Sequence, residues 1–243
     1  MNMEYKTYIV NDKKVNVRID RQAPMLGKGY ESIVYLVQGK AFKLYRSYML
    51  DKHNLGEKEC WYLREIPTRR VLLPDQPIYD EKGKYYGYTA KALWKGEKED
   101  FLEMSVSTFL ENVKLLYEDA SLLTKYHVLM DDFNENNVMV TEDQKIYIID
   151  PGYFICYPLQ KEKEEPKDLE KQNDLFIRTN LLFLLSSHIF SKKDEFGKEE
   201  FMNSFSHNKE SFVYELMEEM KDCYTIQDYQ KKILEEMEYK RVY

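Results

Sequence analysis

Between Tyr5 and Leu93 the chain alternates short apolar runs with turn residues, and after Phe101 the spacing of its apolar positions lengthens. The early runs, Thr7–Val10, Ile33–Val37, Ala41–Tyr45 and Tyr85–Ala90, predict short β-strands. In the later part Phe109, Val113, Leu116, Ala120 and Leu123 recur on one face of a helix predicted over Ser107–Tyr126. The stretch from Asn173 to Phe190 is apolar nearly all round, which predicts a helix buried on every side. A β-rich front followed by an α-rich back is an α+β plan. We expect two lobes, residues 1–93 and 94–243, meeting near Lys91–Lys98, with a charged loop at Lys161–Asp168 that contains Pro166.

Composition narrows the class. With 243 residues, 43% of them hydrophobic and 14% aromatic, the chain can bury a sizeable core. Its 36 basic and 43 acidic side chains give a net charge of −7, which argues against a broad basic surface, so neither a nucleic acid nor a membrane is an expected partner. The three cysteines, Cys60, Cys156 and Cys223, lack metal-ligand spacing and suit a reducing compartment. The first residues carry no apolar signal core. The longest apolar stretch, Leu181–Phe190, is interrupted by Ser186, Ser187 and His188 and is about half the roughly 20 residues a membrane-spanning helix needs. A cytoplasmic protein is expected, although delivery by a specialised secretion machine leaves no mark of this kind.

Candidate chemistry begins at Gly27-Lys28-Gly29, followed by Ser32 and Val34. Glycines let backbone approach phosphate closely, and successive amides can point at it. If Gln38-Gly39 is a two-residue hairpin turn, the ladder places Val34 opposite Lys43, with Ala41 on the same face. An apolar roof then sits beside a cation aimed at phosphate. Asn54 and Glu57 have the spacing of a capping box, which gives Glu57 a structural role. Glu59, Leu63 and Ile66 fall on one helical face, so the Glu59 carboxylate lies on an apolar stripe and requires a partner. Lys43 is the expected one.

Further on, Val138–Val140 and Ile146–Ile149 flank a short polar turn and predict a hairpin that brings Asn137 and Asp150 to one end. Hard oxygen ligands gathered there suit Mg2+. Asp131/Asn136 and Asp132/Asn137 share a five-residue step. The second pair is preferred, because Asn137 directly precedes the apolar strand and Phe133 supplies the apolar residue after the aspartate.

On these residues the chain resembles the protein kinase-like superfamily from about Leu26 to Phe190. Gly27–Val34 is similar to its glycine-rich loop with Ser32 in place of the third glycine, Lys40–Lys43 to its Val-Ala-Ile-Lys strand, and Glu59 to its partner glutamate. Asp132 and Asn137 resemble the catalytic loop, Asp150-Pro151-Gly152 the Asp-Phe-Gly element, and Asn173–Phe190 the buried central helix. The resemblance implies a two-lobed kinase fold and an ATP-dependent phosphotransferase. In it Asp132 orients the acceptor hydroxyl, Asn137 and Asp150 hold Mg2+, Lys43 grips ATP, and Val34 and Ala41 cover the adenine. Asp174 is expected to cap the apolar helix, and the resemblance implies that it also braces the catalytic loop.

Several positions depart from the pattern. Met130 and Asp131 replace the usual His-Arg, Asn134 replaces the catalytic-loop lysine, and no Ala-Pro-Glu follows Asp150. Pro151 fixes its own φ and biases Asp150 towards extended backbone. The run from Asp132 to Asn137 is closer to RIO-type and other atypical kinases, of bacterial or viral type. The expected substrate is a protein hydroxyl on Ser or Thr. An aminoglycoside-type small-molecule kinase and a pseudokinase binding module are the alternatives.

Overall fold

Residues of positive φ at Asn11-Asp12 (49° and 60°) and Gln38-Gly39 (50° and 78°) make the two tight turns that start the fold. Such turns match the twist of the strands they join. The computed structural model describes residues 3–47, 55–160 and 162–242. Its first part is a seven-stranded antiparallel sheet built from β1 (Tyr5–Val10), β2 (Lys13–Arg18), β3 (Met25–Lys28), β4 (Ser32–Val37), β5 (Lys40–Tyr45), β6 (Gln76–Tyr79) and β7 (Tyr85–Lys91), in the order β2-β1-β6-β7-β5-β4-β3.

Alternation along β5 divides the sheet into two faces. Phe42 and Leu44 pack with Tyr8, Val17, Tyr35 and Ile78 on one side. Tyr45 faces the other way, where with Tyr88 and Ala90 it joins the main core. Helix α1 (Glu57–Leu63) buries Cys60 and Leu63 in that core. Asn54, the expected start of its capping box, lies outside the described residues. The helix ends before Ile66, so the expected two-turn stripe is cut short, although Ile66 is still buried.

After Lys91 the chain becomes mainly helical. Helix α2 (Lys98–Leu102) is followed by α3 (Val106–Lys125), whose buried positions include Phe109, Val113, Leu116, Ala120 and Leu123. Two small antiparallel pairs come next. The first joins β8 (Val128–Leu129) to β11 (Ile155–Cys156), and the second joins β9 (Val138–Val140) to β10 (Ile146–Ile148). Helix α4 (Leu169–Ile189) packs against α3 and against α5 (Glu195–Asn203), α6 (Lys209–Met220) and α7 (Ile226–Val242). It starts at Leu169, earlier than expected, and it is not buried all round, because Leu175 is exposed. Among the described residues no helix is long and apolar enough to cross a membrane.

Candidate functional site

The nucleotide half of the expected site follows from strand register. Val34 pairs with Lys43 and Leu36 with Ala41, as the two-residue turn requires. Gly27, Val34, Ala41 and Lys43 line a cavity of about 140 Å3, together with Leu26, Leu72, Tyr88, Leu93, Met139, Ile149 and Asp150. Leu72 and Leu93 come from segments outside regular strands, where no periodicity marks an apolar residue as a lining one. Neither Gly27 nor Gly29 has positive φ, so conformational freedom is not what this turn needs from them. A Cβ at Gly27 would meet nothing, which leaves open space above the backbone. Gly29 N–H donates to the carbonyl of Ser32 at 2.9 Å and closes the turn, and Ser32 is buried. Wider grooves of about 950 Å3 and 820 Å3 lie elsewhere and contain none of the expected site residues.

Lys43 does not make the expected pair with Glu59. Its ammonium pairs with Asp150 and lies 5.7 Å from the ring centres of both Tyr45 and Tyr88. Tyr45 shares the β5 face with Lys43, and Tyr88 is its cross-strand partner on β7, so sheet geometry surrounds the cation with aromatic faces. Burial pushes both phenols well above the usual tyrosine range, which keeps the rings neutral. Glu59 instead turns back on its own helix and accepts from Gly56 N–H at 3.1 Å. It stands in the first turn of α1, where exposed amides attract a carboxylate. Glycine at position 87 makes this strand pairing possible. It has φ +150°, and a Cβ there would lie 2.0 Å from the carbonyl oxygen of Lys43.

The transfer half comes from loops. Asn137 Nδ2 donates to Asp132 Oδ2 at 2.8 Å and to the Asp132 carbonyl at 3.1 Å. Asp131 Oδ1 instead accepts from Asp132 N–H at 2.8 Å, and Asn136 turns to Asn134. The geometry therefore joins Asp132 to Asn137 and sets Asp131 and Asn136 apart. The β9–β10 hairpin does bring Asn137 to the Asp150 end, since Val138 pairs with Ile148 and Ile149 N–H donates to the Asn137 carbonyl at 2.7 Å. Asp132 and Asp150 both have left-handed backbone, φ +80° and +64°. For residues other than glycine this conformation is uncommon and gathers at functional sites. Asp150, expected to be extended because Pro151 follows, instead caps a short turn over Pro151–Tyr153 and accepts from Gly152 N–H at 3.2 Å.

Three buried side chains brace these loops, and none of them was expected to do so. Asn173, not Asp174, holds the segment before Asp132. Its Oδ1 accepts from Met130 N–H at 2.8 Å, while Nδ2 donates to Thr124 Oγ1 and to the Val128 carbonyl, each at 2.9 Å. Asp174 pairs with Lys209 at 3.3 Å, and Asp168 precedes the helix. The earlier start of α4 puts residue 173 a full turn inside, facing the loop. On α3, Asn112 accepts from Ile146 N–H at 3.0 Å. One turn pair further on, Asp119 accepts from the backbone N–H groups of Arg69, Arg70 and Val71 at 2.5 to 3.0 Å. The 70–72 segment in turn bonds to β10 through Ile148 N–H to Arg70 O and Leu72 N–H to Ile148 O. Asp150 thus rests on a strand that Asp119 and Asn112 hold in place.

Chemically, the cleft sets a buried cation and a carboxylate side by side. The Lys43 side chain is 8% exposed, and that of Asp150 is 37% exposed, so the carboxylate is the end that a metal can reach. Among the described residues no three His, Cys, Asp or Glu side chains form a metal cage. One carboxylate and one amide oxygen fit Mg2+, which keeps water and phosphate oxygens for its remaining positions. No protein-family model matches the chain, and no curated protein matches it in sequence.

Proposed function

We propose that the chain is an ATP-dependent phosphotransferase with a two-lobed, protein kinase-like fold, the sheet region 1–93 and the helical region 94–243 being its lobes. The single observation that carries this reading is the meeting of Lys43 with Asp150 beside an apolar cavity, with Asp132 and Asn137 bonded to each other on the neighbouring loop. Phosphoryl transfer asks a protein mainly for position and charge. Val34, Ala41, Leu93 and Met139 would enclose a base. Lys43 would neutralise phosphate charge, and the open backbone at Gly27 leaves room for it. Asp150 and the Asn137 amide oxygen would hold Mg2+, which when bound spreads the charge of the phosphates. Asp132 would accept the proton of the incoming hydroxyl. A protein Ser or Thr hydroxyl is the acceptor we infer.

A small-molecule acceptor is the second reading. It is favoured by the chain between Asp150 and α4, whose described residues form two short turns and strand β11 paired to β8, with no α-helix among them to dock a peptide. Labelled ATP offered with a cell lysate and, separately, with a panel of sugars and aminoglycosides distinguishes the two. Binding is tested first. MgATP at about 100 times its dissociation constant stabilises by roughly 2.7 kcal/mol, which raises the melting temperature of a chain this size by about 5–10 °C. No rise at saturation overturns the reading. A rise without turnover on any acceptor leaves a nucleotide-binding module in place of an enzyme.

A further inference from the structure

Two contacts join the glycine turn and β5 to the segment that carries Asp150. One is the Lys43–Asp150 pair, and the other is a hydrogen bond from the Tyr153 hydroxyl to the carboxylate of Glu31. Glu31 stands in the turn between β3 and β4; Gly27 and Lys28 at the end of β3 and Gly29 and Tyr30 in the turn are exposed, whereas Glu31 itself is half-buried. Arg46 ties the same turn to the end of β5, its N–H donating to the Glu31 carbonyl at 2.8 Å and its Nη2 to the Gly29 carbonyl at 3.2 Å. Tyr153 closes the turn at Pro151–Tyr153 that begins at Asp150. The turn is therefore held from the sheet by Arg46 and from the opposite wall of the cleft by Tyr153. A phenol donating to a carboxylate is a charge-assisted hydrogen bond, stronger than one between neutral groups. That bond is also the largest cause pushing the Tyr153 phenol up to about 12, so the hydroxyl remains a donor at neutral pH.

We propose that the Glu31–Tyr153 bond is a clasp that holds the glycine turn against the Asp150 segment and sets the rate at which a nucleotide leaves the cleft. The proposal rests on the nucleotide-binding reading above. Within it, Glu31 and Tyr153 are positioning residues that act through the turn. The bond also aims the Glu31 carboxylate at a donor and away from the phosphates it would repel.

The test is displacement of a fluorescent ATP analogue, with Mg2+, from the full chain in a stopped-flow instrument. Tyr153→Phe is expected to release the analogue about tenfold faster. Glu31→Ala should match it, the double variant should be no faster than either single one, and Glu31→Gln, which keeps an acceptor, should recover most of the slow release. If Glu31 acts only by repelling phosphate, Glu31→Ala slows release while Tyr153→Phe leaves it unchanged, and the clasp is refuted. Additive effects, or release by Tyr153→Phe at the parental rate, refute it equally. Amide hydrogen exchange in the nucleotide-free protein provides the second arm. Tyr153→Phe should accelerate exchange at Gly29, whose N–H closes the turn, while exchange in β1 and β2 stays unchanged. Should the parent protein bind no analogue, the nucleotide reading fails on its own, and the exchange measurement still decides whether the clasp exists.

Discussion

The two halves of the candidate site are built by different physics. Around Lys43 the neighbours from the sheet are set by strand ladders, while Asp150 reaches it from the loop half. Val34 lies opposite in β4, Tyr88 opposite in β7, and Tyr45 two residues along the same face. Around Asp132 and Asp150 the β9–β10 ladder brings Asn137 to the Asp150 end but includes neither aspartate. Both residues sit in left-handed backbone, and the segments leading to them are pinned by side chains that reach from α3 and α4 to backbone amides and carbonyls. A ladder distributes its stability over many equivalent bonds, whereas a braced loop depends on a few buried polar atoms whose loss leaves donors unsatisfied. Substitutions should therefore be more punishing per atom in the loop half than in the ladder half.

The largest effect belongs to the loop half. Asp132→Asn should keep its bond to Asn137 and its melting temperature, yet lose turnover on the order of 10³-fold, because a general base that removes a hydroxyl proton supplies about 10² to 10⁴. Asp131→Asn should stay within about twofold of the parent, since its amide oxygen can still accept from Asp132 N–H. Steady-state kinetics of the pair checks this, and full activity in Asp132→Asn would move the role to another residue.

Next comes Asp119, which the site never touches. Replacing it by alanine strands three N–H donors, a buried one at Val71 and part-buried ones at Arg69 and Arg70, at a cost of about 3 kcal/mol. For this chain length that lowers the melting temperature by roughly 10 °C. A drop of less than about 2 °C would mean that the 69–72 segment is held by something other than the carboxylate.

The division also explains what could be read from the sequence. Register propagates from a turn: once Gln38-Gly39 is placed, Val34, Ala41 and Lys43 follow by counting, and the β9–β10 hairpin places Asn137 and Asp150 in the same way. The α+β plan and the buried face of α3 are likewise periodic signals. Asn173, Asn112 and Asp119 carry no such signal, because a polar residue that satisfies a distant loop looks in sequence like any helix-surface residue. Glycine 87 was silent for a related reason, since its need arises from the approach of β5 and not from its neighbours in the chain.

Asn173 sharpens this point through its neighbour. Asn173→Ala removes an acceptor for Met130 N–H and two donated bonds, and about 2 kcal/mol of stability should go with them. Asp174→Ala loses one partly exposed pair with Lys209 and should cost less than about 1 kcal/mol. Denaturant unfolding of both variants measures the difference. If Asp174→Ala proves the more damaging, the brace lies one residue further on than its bonds indicate.

The smallest effect tests the ladder half, at the one position where its expected pairing was wrong. Glu59→Gln keeps an oxygen for Gly56 N–H and so preserves the start of α1. Because Lys43 takes Asp150 and two tyrosine rings as its neighbours, removing the Glu59 charge should change kcat/KM by no more than about twofold, or ~0.4 kcal/mol. Lys43→Ala should abolish most turnover, which shows that the cation itself matters. A tenfold loss in Glu59→Gln at unchanged melting temperature would carry a different meaning. Lys43 would then exchange Asp150 for Glu59 during turnover, freeing Asp150 for the metal, and α1 would take over the hold on Lys43 that now joins the ladder half to the loop half.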